Sequence, residues 1–190
     1  MNFRRSKGLL ALIASALIWV LPAQAQDAPD VIFVNGKVLT VDENFATVQD
    51  VAVTGNQISG VGTNEDIRAL ASATTRVIDL DGKTLFPGLI DNHNHLLFNS
   101  PTWPQGARLD RVRTRAQALI AHTQSNAYLM HKEELLGSLE VGKLADIVVL
   151  DQDYMTISVE EIRNLNSVLT MVNGRIVYES ADFGGAIAAR

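Results

Sequence analysis

The sequence predicts a mainly β fold with some α, in which strands from both ends of the chain build one sheet assembly. Three observations predict it. Asn-Gly, Gly-Asn and Asp-Gly pairs at 35–36, 55–56, 81–82 and 173–174 punctuate short apolar runs. Such pairs supply the positive φ angles of two-residue turns. The runs alternate apolar with polar residues, which leaves a face that must be buried. Finally, Val172-Asn173-Gly174-Arg175-Ile176 repeats the pattern of Val34-Asn35-Gly36-Lys37-Val38. Both ends are therefore expected to build the same kind of sheet.

The elements follow in order. Val31–Val34 and Lys37–Val41 flank Asn35-Gly36; Val51–Val53 and Gln57–Val61 flank Gly55-Asn56; Arg76–Leu80 and Lys83–Phe86 flank Asp81-Gly82. Three hairpins are expected there. Between the second and third, Thr63 caps a short helix with Asp66 at its third position and Ile67 and Leu70 as its apolar stripe. Residues 85–90 are an apolar strand with Pro87-Gly88 built in, and residues 99–113, with Pro101, Pro104 and Gly106, read as a loop. Thr114 and Gln117 form a capping box for a helix through Leu119 and Ile120. A second helix is expected from about 126 to 136, ended by Gly137. The helices at 114–136 and the stretch Leu89–Leu97 are expected to be packed loosely or partly disordered beside the sheets. Asp146–Leu150 is a strand, Ser158 and Glu161 cap a short helix, and Val168–Val172 with Arg175–Tyr178 form a fourth hairpin.

The first 25 residues are read apart from this fold. Arg4, Arg5 and Lys7 precede an uncharged apolar run, Gly8–Leu21, and Ala23-Gln24-Ala25 follows. That is the build of a secretory signal peptide cut after Ala25, which implies a periplasmic or secreted protein with no stable membrane association. A membrane anchor is the alternative, but the run is short of the roughly 20 residues a span needs. Without residues 1–25 the 16 basic residues fall to 13 against 21 acidic, a net charge of −8. Such a balance argues against general nucleic-acid binding, which rests on neutralising phosphates. There is no cysteine, so disulfides, thiolate ligands and cysteine nucleophiles are excluded.

The chemistry lies in Asp91-Asn92-His93-Asn94-His95-Leu96. On a strand, residues i and i+2 share a face. His93 and His95 would hold their imidazoles side by side, as candidate ligands for zinc or another divalent metal. A pair of hydrogen-bonded or surface histidines is the alternative.

Leu85-Phe86-Pro87-Gly88-Leu89-Ile90-Asp91-Asn92-His93-Asn94-His95 resembles the first barrel strand of the amidohydrolase superfamily. Gly137–Asp151 resembles the same family's return from barrel to C-terminal strands, and Val31–Asp42, Arg76–Asp79 and Thr170–Glu179 are also similar to it. The branch it most resembles contains the N-substituted formamide deformylases. The resemblance implies a composite β-sandwich built from both chain ends, beside a TIM barrel that carries the metal. It implies His93 and His95 as metal ligands, with Asp91 as a structural aspartate. It implies a metal-bound water that attacks a carbon–nitrogen bond other than a peptide bond, in a small amide-type substrate.

One departure is large. A TIM barrel takes roughly 250 residues, and only residues 96–136, 41 in all, separate His95 from Gly137. The expected organisation is therefore a signal peptide (1–25), an N-terminal half of the sandwich (26–86), a truncated barrel remnant (87–136) and a C-terminal half with tail (137–190). His122 and His131 fall in helical segments at non-ligand positions of the family, and Lys132 and Lys143 do not match its bridging lysine. Asp110 lies in the loop. Arg108, Arg111, Arg113 and Arg115 read as a solvated face or an anion site. No catalytic residue is assigned. Three readings follow: a metal-dependent hydrolase in catalytically incomplete form, a non-catalytic sandwich serving as an interaction module, or a fragment completed by another chain.

Overall fold

A computed structural model describes residues 27–92, 113–183 and 186–188. Two mixed sheets pack face to face. The first has strand order β11-β6-β1-β4-β5, with β1 Val31–Val34, β4 Asp50–Thr54, β5 Gln57–Gly62, β6 Arg76–Asp79 and β11 Ala186–Ala188. The second has order β10-β9-β8-β7-β2-β3, with β2 Lys37–Leu39, β3 Thr47–Val48, β7 Thr84–Pro87, β8 Ile147–Leu150, β9 Ser167–Val172 and β10 Arg175–Glu179.

The second sheet joins the two ends of the chain. β7 pairs antiparallel with β8, setting Leu85 opposite Val149 and Phe86 opposite Val148. Between the sheets lies the main core. Phe33, Val51, Val53, Ile78 and Leu80 meet Val38, Leu85, Ile147, Val149, Leu169 and Met171, all essentially inaccessible to solvent. The expectation of a β-rich sandwich drawing on residues 31–86 and 146–178 is met.

Two of the four expected hairpins form: β4–β5 and β9–β10 pair antiparallel. The other two do not. β1 and β2 lie in different sheets, and so do β6 and β7. The chain arches across the sandwich at Asn35-Gly36 and again at Asp81-Gly82, and the two arches stack. β1 then pairs with β6, and β2 with β7, in parallel. The stack is sealed by Leu80 N–H to Val34 O at 2.8 Å, Gly82 N–H to Asn35 O at 2.8 Å and Lys37 N–H to Lys83 O at 3.0 Å. The cause is burial on both faces. Phe33 enters the main core, whereas Ile32 and Val34 face outward into a second cluster with Ala52, Ile67 and Val77. A strand apolar on both faces suits a covered, parallel-paired position better than a half-solvated hairpin.

Each sheet's outer face is covered by a helix. α1 (Asn64–Arg68) lays Ile67 over the first sheet, and Thr63 caps it as expected, its hydroxyl accepting Asp66 N–H at 3.3 Å. α2 (Arg115–His122) lays Leu119 over Leu39, Val41 and Phe86 of the second sheet. Its predicted capping box is present: Thr114 Oγ1 accepts Gln117 N–H at 3.1 Å, and Gln117 Oε1 accepts Thr114 N–H at 3.2 Å. Ser158 and Glu161 cap each other's backbone around a 3-10 turn at Glu160–Asn164.

The second helix differs from expectation. α3 spans only Gln124–Leu129, and the chain then turns, with His131 at φ 55°. A residue in the left-handed region cannot continue a right-handed helix. Nor are the helices loosely packed: Leu119 is 4 % exposed, and Thr123 and Ala127 are fully buried.

Candidate functional site

β7 delivers the chain toward the histidine pair. Its pairing with β8 ends at Pro87 opposite Ile147. Gly88 N–H then donates to Asp146 O at 2.8 Å. From there the chain leaves the sheet and is held by the α2–α3 junction. Ile90 N–H donates to His122 O at 2.7 Å. The side-chain amide of Asn126 donates to Ile90 O, and that of Asn92 donates to Asn126 O at 2.7 Å. Two carboxamides thus tie the residues on either side of Asp91 to Asn126 of α3, and Asp91 itself is exposed. His93 and His95 follow directly and lie outside the described residues.

Asn126 and Asn92 were missed by sequence reasoning. An asparagine within a helical run is a poor helix former, and this was the available signal for Asn126. It is 8 % exposed and acts as a bracket from α3 to the lead-in segment.

The other candidates do not converge. His122 is half-buried and lines an open apolar cavity of about 390 Å³ with Phe86, Leu89, Leu119, Val148 and Leu150. His131 and Lys132 are exposed on the turn after α3. Lys143 is committed to Glu140 at 2.8 Å and Ser138 Oγ at 2.6 Å. Asp110, Arg108 and Arg111 lie outside the described residues. Arg113 is exposed, and its backbone N–H donates to Gln117 Oε1 at 2.8 Å. Arg115 donates to Tyr154 O at 2.7 Å and to Ile157 O, with its guanidinium 6.0 Å from the Tyr154 ring centre. It fastens α2 to the loop after β8 rather than serving an anion. Burial raises the Tyr154 hydroxyl above its ordinary value, against the opposing pull of Arg115.

Among the described residues, no group of three or more histidine or carboxylate side chains is placed to hold a metal ion. A catalytic zinc ordinarily takes three protein ligands and keeps one position open. The described residues by themselves do not meet that requirement.

Residues 97–178 match the family model described as amidohydrolase family. Over 67 residues the chain is 43 % identical to an N-substituted formamide deformylase of Arthrobacter pascens, a match covering 35 % of this chain and 12 % of that protein. Over residues 97–178 the chain is thus similar to the amidohydrolase family. It is also 28 % identical over 136 residues to the exoenzymes regulatory protein AepA of Pectobacterium carotovorum subsp. carotovorum, covering 67 % of this chain and 29 % of that protein. An adenine deaminase of Dehalococcoides mccartyi is 33 % identical over 103 residues, or 54 % of this chain and 15 % of the deaminase. The chain spans between 12 and 29 % of the length of these curated relatives. The matched region contains β8, β9 and β10 together with α2, so the family signature falls on the outer-face helix and the C-terminal half of the sandwich.

Proposed function

We propose that this chain is a metal-dependent amidohydrolase of carbon–nitrogen bonds other than peptide bonds, in a catalytically incomplete form. His93 and His95 are its two metal ligands, for zinc or another divalent ion, and its substrate class is a small amide-type molecule. Support for the class comes from the matched N-substituted formamide deformylase. Incompleteness rests on one observation. Only 41 residues, 96–136, separate His95 from Gly137, and the described part of that stretch is spent on α2, α3 and the turn after them. The seven further strands of a barrel do not fit in that length, since one barrel takes about 250 residues. Two imidazoles alone hold zinc weakly, because each missing donor must be replaced by water.

The reading also includes export. Residues 1–25 act as a signal peptide removed after Ala25, which places the mature chain in the periplasm or outside the cell.

The test is zinc titration by calorimetry on the purified mature chain, beside the double variant His93→Ala, His95→Ala. Weak zinc binding in the parent that disappears in the double variant, with no turnover of N-substituted formamides, is expected. One tightly held zinc per chain together with turnover would overturn the incomplete form. Identical zinc behaviour of parent and variant would remove the two histidines as ligands. N-terminal sequencing of exported protein should begin at Gln26.

A further inference from the structure

Asp50 opens β4 and is fully buried. Its Oδ1 accepts Asn35 N–H at 3.0 Å. The same N–H lies 3.2 Å from Asn64 Oδ1. Its Oδ2 is buried and has no partner among the described residues. The surrounding polar groups are already engaged. Asn35 Nδ2 donates to Asp79 Oδ2 at 2.8 Å, Asp79 Oδ1 accepts Asp81 N–H at 2.9 Å, and Asn64 N–H donates to Gln49 Oε1 at 3.1 Å. The first arch, the start of β4, the start of α1 and the end of β6 thus converge on one carboxyl group with an unused oxygen.

The charges around it oppose one another. Arg68 on α1 favours the carboxylate, and Asp79 on β6 disfavours it. The sequences of β1 and β5 contain no titratable side chain. On α1, Glu65 and Asp66 are exposed, and Asp66 is taken up by the Thr63 hydroxyl at 2.7 Å. Lys37 on β2 is paired with Asp153. The balance is therefore decided by burial, because an ionised carboxylate loses its hydration there with only one hydrogen bond in return.

We propose that Asp50 is a proton-operated latch at the junction of the first arch, α1 and β6. With its proton the group is neutral and the junction stays shut. Without it, an uncompensated charge sits inside the junction and loosens it. Burial first, then the charge of Asp79, lift the group from 3.8 to about 6, against the Asn35 hydrogen bond and Arg68. The folded chain therefore holds this proton more tightly than the unfolded chain does. Its contribution to stability is fully present below the unfolded value, is lost as the pH rises toward 6, and stays lost above. A difference of about two pKa units corresponds to roughly a hundredfold in the unfolding equilibrium.

The test begins with the unaltered chain. Carbon-detected NMR titration of the Asp50 carboxyl should give a midpoint near 6. Hydrogen exchange at the Asn35 amide, corrected for intrinsic pH dependence, should lose protection between pH 5 and pH 7.5. Asp50→Asn has the same shape and no charge. It should flatten the stability profile from pH 4 to pH 7 and abolish the change at Asn35. Asp79→Asn should lower the Asp50 midpoint. A midpoint at or below the ordinary value of 3.8, or an Asp50→Asn variant with the parent's pH profile, would overturn the latch. Should Asp50→Asn fail to fold, the titration and exchange on the unaltered chain decide the question.

Discussion

The side-chain amide of Asn56 donates to Asn173 Oδ1 at 3.0 Å, joining the turns of two hairpins 117 positions apart. One turn belongs to the N-terminal half of the fold and the other to the C-terminal half. Beside this contact Gly174 N–H donates to Ala145 O at 3.0 Å, and Asn173 N–H donates to Asp146 Oδ1 at 2.6 Å. The two sheets, one holding the β4–β5 hairpin and the other the β9–β10 hairpin, are pinned together at these tips.

The closeness of that contact gives the first prediction. A Cβ at Gly174 would stand 2.1 Å from Gly55 O, at a φ of +73°. Gly174→Ala should lower stability by about 2 kcal/mol or more, through both the clash and the left-handed backbone. Gly142 also has positive φ but open space around it, so Gly142→Ala should cost only the strain, about 1 kcal/mol. Urea unfolding midpoints of the two variants measure the difference.

Leu119 tests whether α2 is part of the fold. It is 4 % exposed and packs with Leu39, Val41 and Phe86. Leu119→Ala should cost about 2–5 kcal/mol, the usual range for emptying a packed core position. A loss under about 0.5 kcal/mol, typical of uncoupled surface sites, would mean that the helix does not stabilise the sandwich.

The start of the same helix can be weakened without touching any packing. Thr114 is exposed, yet its hydroxyl caps Gln117 N–H at 3.1 Å. Thr114→Ala should cost about 1 kcal/mol, and Thr114→Ser should restore most of it. Thermal unfolding followed by circular dichroism is a sufficient readout.

A carboxylate of the opposite kind to Asp50 sits at Glu140. Hydrogen bonds from Lys143 and then Ser138 hold it below the usual glutamate range, against the cost of burial. A depressed value means that its stabilisation is present above the unfolded value and is lost as pH falls through the folded one. Glu140→Gln should therefore shift acid unfolding to higher pH while leaving the profile between pH 5 and pH 7 unchanged. Asp50→Asn should do the reverse, which separates the two groups in one set of pH titrations.

Local chemistry carries over from sequence to structure wherever neighbours in the chain decide it. The caps at Thr63, Thr114 and Ser158 all form, because a cap needs only a side chain and the backbone three residues on. The β4–β5 and β9–β10 hairpins form for the same reason. Burial of Asn126 and Asp50 was not legible, since both depend on elements far away in sequence. Of the candidate site, the approach through Ile90 and Asn92 is on view, and His93 and His95 lie outside the described residues.

The same turn pattern shows where sequence stops deciding. Val172-Asn173-Gly174-Arg175-Ile176 closes a hairpin within one sheet, with Asn173 at φ 51° and Gly174 at φ 73°. In Val34-Asn35-Gly36-Lys37-Val38, Asn35 has φ 57° but Gly36 does not take a positive value, and the chain crosses to the other sheet. By itself the sequence determined that both places turn, that apolar strands flank them, and that the chain resembles the amidohydrolase family. Tertiary structure alone decided between hairpin and arch. Around Asn173 the partly exposed strand β10 can lie beside β9 and face water. Around Asn35 the strands are apolar on both faces, and only a position between two covered layers removes both faces from water.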